Sequence, residues 1–301
     1  MRVLLAGATG YIGSVVLEHL LREGHEVVAL LRTPRTLAAG VEVRIADLKE
    51  PESVQPYLAN DVDAVVHAGA PVGDWDIEVA SVSSLMKGLC GRRRTFVYLS
   101  GTWVLGPSPL LGGVPAILDE FSPVRPIDLV AGRERLEGVV TDAGGRRGIV
   151  IRPGLVHGRG GGIPGLLVEW ARQHGVGRFV ATEQPVTWPL VHVDDLAALV
   201  SRVLYSGRRG QLVHAVAEPS VAVPEIAAAA DAAAGGFGRA EPWPLAEASI
   251  ELGAAFAEAL ATSQRVLGLE ASALGWRPKG PGVLEDLRLG SYRRGRSFVA
   301  S

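Results

Sequence analysis

Gly7-Ala8-Thr9-Gly10-Tyr11-Ile12-Gly13 joins a strand-like apolar run, Arg2–Ala6, to an amphipathic segment over residues 12–23. Glycines at this spacing let a chain turn tightly and bring bare backbone amides against a pyrophosphate at a helix N-terminus. Strand, turn and helix in that order make the pattern specific. The chemistry it implies is dinucleotide binding, with Gly7, Thr9, Gly10, Tyr11, Ile12 and Gly13 as contacts. Where a carboxylate would read the adenosine ribose of NAD, at the end of the second strand, stand Leu31 and Arg32, with Arg35 close behind. A guanidinium is always charged and grips oxyanions through a planar fork. NADP(H) is therefore the expected cofactor. Surface arginines in an arginine-rich chain are the competing reading, because 27 arginines stand against three lysines, Lys49, Lys87 and Lys279.

The elements that must position this turn follow from hydrophobic periodicity. Strands are expected at 2–6, 26–31, 41–46, 63–67, 95–100 and 148–152, alternating with helices at 12–23, 51–58, 76–89 and 128–142. Gly144-Gly145 is expected to end the last of these helices, and Pro153 to stop the sixth strand. The reading is an α/β fold: a Rossmann-type doubly wound parallel sheet over residues 1–153, then a smaller, mainly substrate-binding lobe over 154–301, some of whose elements return to the first unit. That lobe opens with a loop holding five glycines between Gly158 and Gly165. Helices at 166–174, 194–205 and 225–234 and extended pieces over 180–193 follow.

Composition narrows the function classes. The 301 residues carry 30 basic and 32 acidic side chains, a net charge of −2 that argues against nucleic acid or an anionic membrane as partner. No run of 18 apolar residues and no cleavable leader is apparent, and the single Cys90 can form no intramolecular disulfide. A reducing cytoplasm is the expected compartment, with a monomer or homodimer as the assembly. Arg92-Arg93-Arg94 reads as a solvated turn.

Further motifs carry a family resemblance. Ala46-Asp47-Leu48 follows the third strand, and Val66-His67-Ala68-Gly69-Ala70 follows the fourth. Tyr98-Leu99-Ser100-Gly101-Thr102-Trp103-Val104-Leu105-Gly106, Arg152-Pro153-Gly154-Leu155-Val156-His157-Gly158, Val191-His192-Val193-Asp194-Asp195-Leu196-Ala197 and Leu274-Gly275-Trp276-Arg277-Pro278 come after. Together with the glycine turn, these resemble the extended short-chain dehydrogenase/reductases over almost the whole chain. The resemblance implies that Asp47 and Leu48 flank an adenine and that Ala68, Gly69 and Ala70 line the nicotinamide-side ribose. It further implies that Pro153, Gly154, Leu155 and Val156 hold the nicotinamide amide.

One part of the family pattern is missing. These enzymes use a Tyr-x-x-x-Lys pair on the helix after the serine motif, the lysine lowering the pKa of a proton-donating tyrosine. In register with Glu137 the corresponding residues are Leu129 and Arg133, and none of the five tyrosines is followed four places later by lysine. Leu129 has no proton to give, and arginine does not deprotonate. Gly101 occupies the usual serine place, leaving Ser100 and Thr102 as the candidate catalytic hydroxyls. His67 reads as a strand-end residue, His157 as a loop residue with a possible proton, and His192 with Asp194 and Asp195 as a helix start. Trp75, Trp103 and Trp188 are candidates for an aromatic-friendly cleft.

The expected activity is NADPH-dependent reduction of a small aromatic ketone, such as a polyketide or hydroxyquinone, whose own neighbouring phenol lends the proton. The pattern looks like that of the tyrosine-less short-chain reductases of aromatic polyketide tailoring. A non-catalytic NADP(H) sensor and a nucleotide-sugar epimerase or dehydratase are the alternatives.

Overall fold

A computed structural model describes residues 1–70, 73–89, 94–142 and 146–293. Cys90, Arg92, Arg93, Gly144 and Gly145 lie outside the described residues. Short, nearly all-apolar strands are what a parallel sheet covered on both faces requires. They are β1 (Arg2–Ala6), β2 (Glu26–Leu31), β3 (Glu42–Ile45), β4 (Ala64–His67), β5 (Thr95–Leu99), β6 (Arg147–Pro153) and β7 (Gln211–Ala215). They pair in the order β7-β6-β5-β4-β1-β2-β3, parallel throughout. The order reverses at β1 and β4, so the crevice beyond their C-terminal ends is where ligands bind in such sheets.

One face of the sheet buries helices α1 (Tyr11–Arg22) and, from late in the chain, Val193–Ser206. The other buries α2 (Trp75–Gly88) and α3 (Arg133–Thr141). A separate apolar cluster, around Trp188, Trp243 and the helices Gly162–His174 and Val223–Ala234, forms the core of the later segment. Trp188 is fully buried there and donates its indole N–H to the Leu260 carbonyl at 3.2 Å, so it lines no cleft.

Two helices expected from periodicity are broken, each for a local backbone reason. Residues 51–58 form two 3₁₀ turns, Pro51–Ser53 and Pro56–Ala59. The Pro56 ring excludes a helical Gln55, which is extended at ψ 147°. Residues 128–142 form a 3₁₀ turn, Asp128–Val130, and then α3, separated by Gly132 in the left-handed region at φ +99°. A Cβ there would lie 2.3 Å from Cδ1 of Trp75, so Gly132 admits both the turn and the indole packed on it.

α3 is tied to the sheet by a buried ion pair. Arg152 on β6 donates from Nε to Glu137 Oε1 at 3.0 Å and from Nη2 to Oε2 at 2.5 Å, with side chains 2% and 5% exposed. Such bidentate pairs combine charge with a fixed geometry. Glu137→Ala would leave a buried guanidinium unpaired and should cost about 3–5 kcal/mol, read from urea unfolding, whereas a Glu137→Leu/Arg152→Met double variant should recover most of that loss. Among the described residues, no helix is long and apolar enough to cross a membrane.

Candidate functional site

The glycine turn is built by contacts that only small residues permit. Gly7 has φ +85°, and a Cβ on it would sit 2.6 Å from the Ala68 carbonyl oxygen and from the Gly69 amide nitrogen. The Gly10 amide donates to the Gly7 carbonyl at 3.0 Å. A Cβ on Gly13 would lie only 1.9 Å from that same oxygen, so α1 starts directly on the turn. Gly10 caps α1 without a side chain, and no acidic residue stands in its first turn. Its free amides and positive dipole end therefore fit a pyrophosphate.

Around this turn the described residues line three hollows of the crevice, among others. The first, about 540 Å³, has Gly7, Thr9 and Gly10 on one side and Arg32, Arg35, Asp47 and Leu48 on the other, with Gly69 and Ala70 closing it. Lys49 also lines it, a cation that carried no motif and that only the fold brings here. The second, about 530 Å³, lies between Thr9, Gly10, Tyr11 and the Gly160–Gly162 loop. The third, about 260 Å³, brings Tyr11 and Ile12 together with Ser100, Gly101, Thr102 and the run from Pro153 to Val156. Trp103, Val130 and Ile163 supply apolar wall, and Arg133 supplies its charge. Ala68 packs beside the core under α1, and Gly13 serves the helix–turn contact instead of facing a hollow.

The proton-bearing groups sort cleanly by position. Tyr11, the one tyrosine on the described wall of the third hollow, donates its hydroxyl to the Gly158 carbonyl at 2.8 Å. Burial pushes its phenol far above the ordinary tyrosine range, with Tyr292 adding to the shift. It is a strut between α1 and the glycine-rich loop, not an acid. Ser100 is 7% exposed, and its Oγ has no hydrogen-bond partner. Thr102 begins the 3₁₀ turn Thr102–Leu105, and Gln264 Nε2 donates to its carbonyl at 2.8 Å.

The histidines fall elsewhere. His157 is 1% exposed and sits edge-on to His192 with ring centroids 5.2 Å apart, near Asp286 and away from the hollows. His192 Nδ1 accepts from the Asp194 amide at 3.3 Å, capping the helix Val193–Ser206. His67 is fully buried against Tyr98, and neither ring nitrogen has a partner. Burial, helped by the Arg133 charge, lowers its pKa to about 4. Among the described residues no cluster of His, Cys, Asp and Glu could hold a metal ion.

Register with Glu137 placed Leu129 and Arg133 at the positions of the missing pair. Leu129 is 38% exposed and outside the hollow, whereas Arg133 is half-buried and lines it. Its guanidinium carbon lies 5.6 Å from the Trp75 ring centroid, a cation–π distance. Trp75 therefore borders the site through Arg133, while Asp74 caps α2 through the amides of Asp76 and Ile77.

A doubly wound sheet with this turn and crevice defines a dinucleotide-binding α/β protein. The NAD dependent epimerase/dehydratase family model matches residues 3–89. A Saccharomyces cerevisiae protein, YLL056C, is 30% identical over 96% of this chain and 98% of its own length. The crystal structure of human epimerase family protein SDR39U1 with NADPH superposes with a TM-score of 0.73 at 25% identity, covering 97% of this chain and 99% of that one. A dTDP-4-dehydro-6-deoxy-D-allose reductase from Streptomyces is 28% identical over 75% of this chain and 78% of its own. The chain belongs to the NAD-dependent epimerase/dehydratase family of extended short-chain dehydrogenase/reductases, with that family's NAD(P)-binding oxidoreductase fold.

The His67 environment has a pH consequence. A histidine held neutral in the fold, with pKa about 4 against an ordinary 6.5, binds fewer protons folded than unfolded between those values. Its contribution is therefore intact above pH 6.5 and is lost as pH falls toward 4. His67→Phe should flatten the stability–pH curve in that window by up to about 1.4 kcal/mol per pH unit, measured by denaturant unfolding at stepped pH.

Proposed function

We propose that the protein is an NADPH-dependent ketoreductase acting on an aromatic ketone that carries a phenol beside the carbonyl, of the polyketide or hydroxyquinone kind. The observation that carries this reading is the inventory of the third hollow. Its described lining includes the hydroxyl residues Ser100 and Thr102, the unpartnered Trp103 indole and the Arg133 guanidinium, while the single tyrosine is bonded to backbone. The dTDP-4-dehydro-6-deoxy-D-allose reductase among the relatives supports carbonyl reduction as the direction of the chemistry. Arg32 and Arg35, with no acidic residue at the end of β2, support NADPH, as does the NADPH-bound human relative.

When bound, NADPH would supply the hydride that a carbonyl carbon accepts. Gly7, Thr9 and Gly10 would hold its pyrophosphate, Arg32 and Arg35 its 2′-phosphate, and Asp47 and Leu48 its adenine. Ala68, Gly69 and Ala70 would take the nicotinamide-side ribose, and residues 153–156 the amide. Ser100 and Thr102 hydrogen-bond the substrate carbonyl and stabilise the alkoxide as it forms. Trp103, Val130 and Ile163 give that oxygen an apolar surround in which these bonds are stronger than in water. The alkoxide takes its proton from the adjacent phenol, so no tyrosine is needed. In this respect the protein is similar to the angucyclinone ketoreductase of simocyclinone biosynthesis.

Two matched aryl ketones test the reading, one with a free ortho phenol and one with that phenol methylated. NADPH oxidation and alcohol formation are expected with the first alone. Equal turnover of both removes the substrate proton, and turnover of neither, with NADPH bound, leaves a sensor. Ser100→Ala should slow turnover about 10- to 100-fold without abolishing it. Arg32→Asp should move the preference in kcat/KM from NADPH towards NADH; an unchanged ratio takes Arg32 out of the cofactor site.

A further inference from the structure

We infer that Arg133 is a catalytic residue whose guanidinium receives the anion left on the substrate, making the third hollow selective for an apolar ring bearing an ionisable phenol. This deepens the ketoreductase reading and rests on it.

Among the described residues the guanidinium has no acidic partner. Glu137 stands four residues on, the helical spacing at which a carboxylate normally meets an arginine. Both of its oxygens are taken by Arg152, at 3.0 and 2.5 Å, and no carboxylate lies within salt-bridge distance of Arg133 among the described residues. Its Nε is buried and without a hydrogen-bond partner. Nη1 lies 3.6 Å from where a Cβ on Gly101 would stand, so the guanidinium ends at contact distance from the serine position on the wall of the hollow. Two other residues lining the same hollow also carry buried, unpartnered polar atoms, Ser100 Oγ and Trp103 Nε1. Arg133 is the one cationic side chain in the described lining of the hollow.

The balance of the step explains the need. The ketone carbon accepts hydride from reduced nicotinamide, and the carbonyl π pair moves onto oxygen. The phenol O–H bond then breaks, its proton forming the alcohol O–H, and a phenolate remains until water reprotonates it. That charge develops in an apolar hollow, where an unpaired anion is costly. A fixed cation within about 4–6 Å lowers an acid's pKa by about 1–3 units. Arginine keeps its charge throughout, so it holds the anion and contributes no proton.

Salicylamide carries a phenol beside a carbonyl that nicotinamide does not reduce, and phenolate formation is visible in its near-ultraviolet absorbance. Bound to the NADP-loaded protein, it should ionise at least about 1 unit below its free value. Arg133→Lys should keep part of that shift, and Arg133→Met should abolish it, with circular dichroism confirming that both variants fold. An unshifted bound phenol, an equal shift in Arg133→Met, or no saturable binding to the wild type overturns the assignment. Turnover of the hydroxyaryl ketone separates the two ideas. Reduction without an Arg133-dependent shift keeps the reductase and removes Arg133, whereas the shift without reduction keeps the anion site and removes the reduction.

Discussion

The candidate site hangs on one buried contact, the bidentate pair between Arg152 and Glu137. Both charges are nearly out of water, so each is tolerable only while the other is in place. The pair joins β6 to α3, and β6 runs straight on into Pro153, which lines the third hollow. β5, bonded alongside β6, ends at Leu99 and presents Ser100 to the same space; the Ser100 amide itself donates to the Ile151 carbonyl at 2.8 Å. One helical turn before Glu137, α3 starts at Arg133. Hydroxyl, apolar floor and guanidinium are thus registered to one another through a single ionic joint.

Two struts complete the frame. Tyr11 reaches from α1 to the Gly158 carbonyl, and Tyr292 accepts from the Gly158 amide and donates to the Gly161 carbonyl, each at 2.7 Å. The glycine-rich loop is therefore held from both sides, although loops rich in glycine lose the most entropy on ordering. Burial raises both phenols above their usual range, which suits hydrogen bonding to backbone and not proton transfer. The chain uses its tyrosines here for architecture, and the hollow keeps hydroxyls of serine and threonine instead.

Much of this was legible in the residue order because it depends on local backbone rules. The glycine turn, the six strands, the basic end of β2 and the want of a Tyr-x-x-x-Lys pair are properties of short windows. So is the helix start at His192. The resemblance to the extended short-chain enzymes extended that reading to Asp47, Leu48 and residues 153–156, which the fold brings to the walls of the hollows.

What the sequence could not decide was where side chains go once distant segments pack. Helical periodicity continues through residues 128–142, yet Trp75 from another helix needs the space over Gly132, and the backbone turns left-handed there. That turn brings Arg133 to the wall of the hollow, where register alone had marked it only as standing in the place of the missing lysine. Trp188 reads as readily for a cleft as for a core, and the packing of the later segment sends it inside. Lys49 carries no motif and becomes part of the first hollow because β3 lies beside β2. Backbone conformation is set by neighbours in the chain. The reach of a charge, and whether a partner neutralises it, is set by neighbours in space.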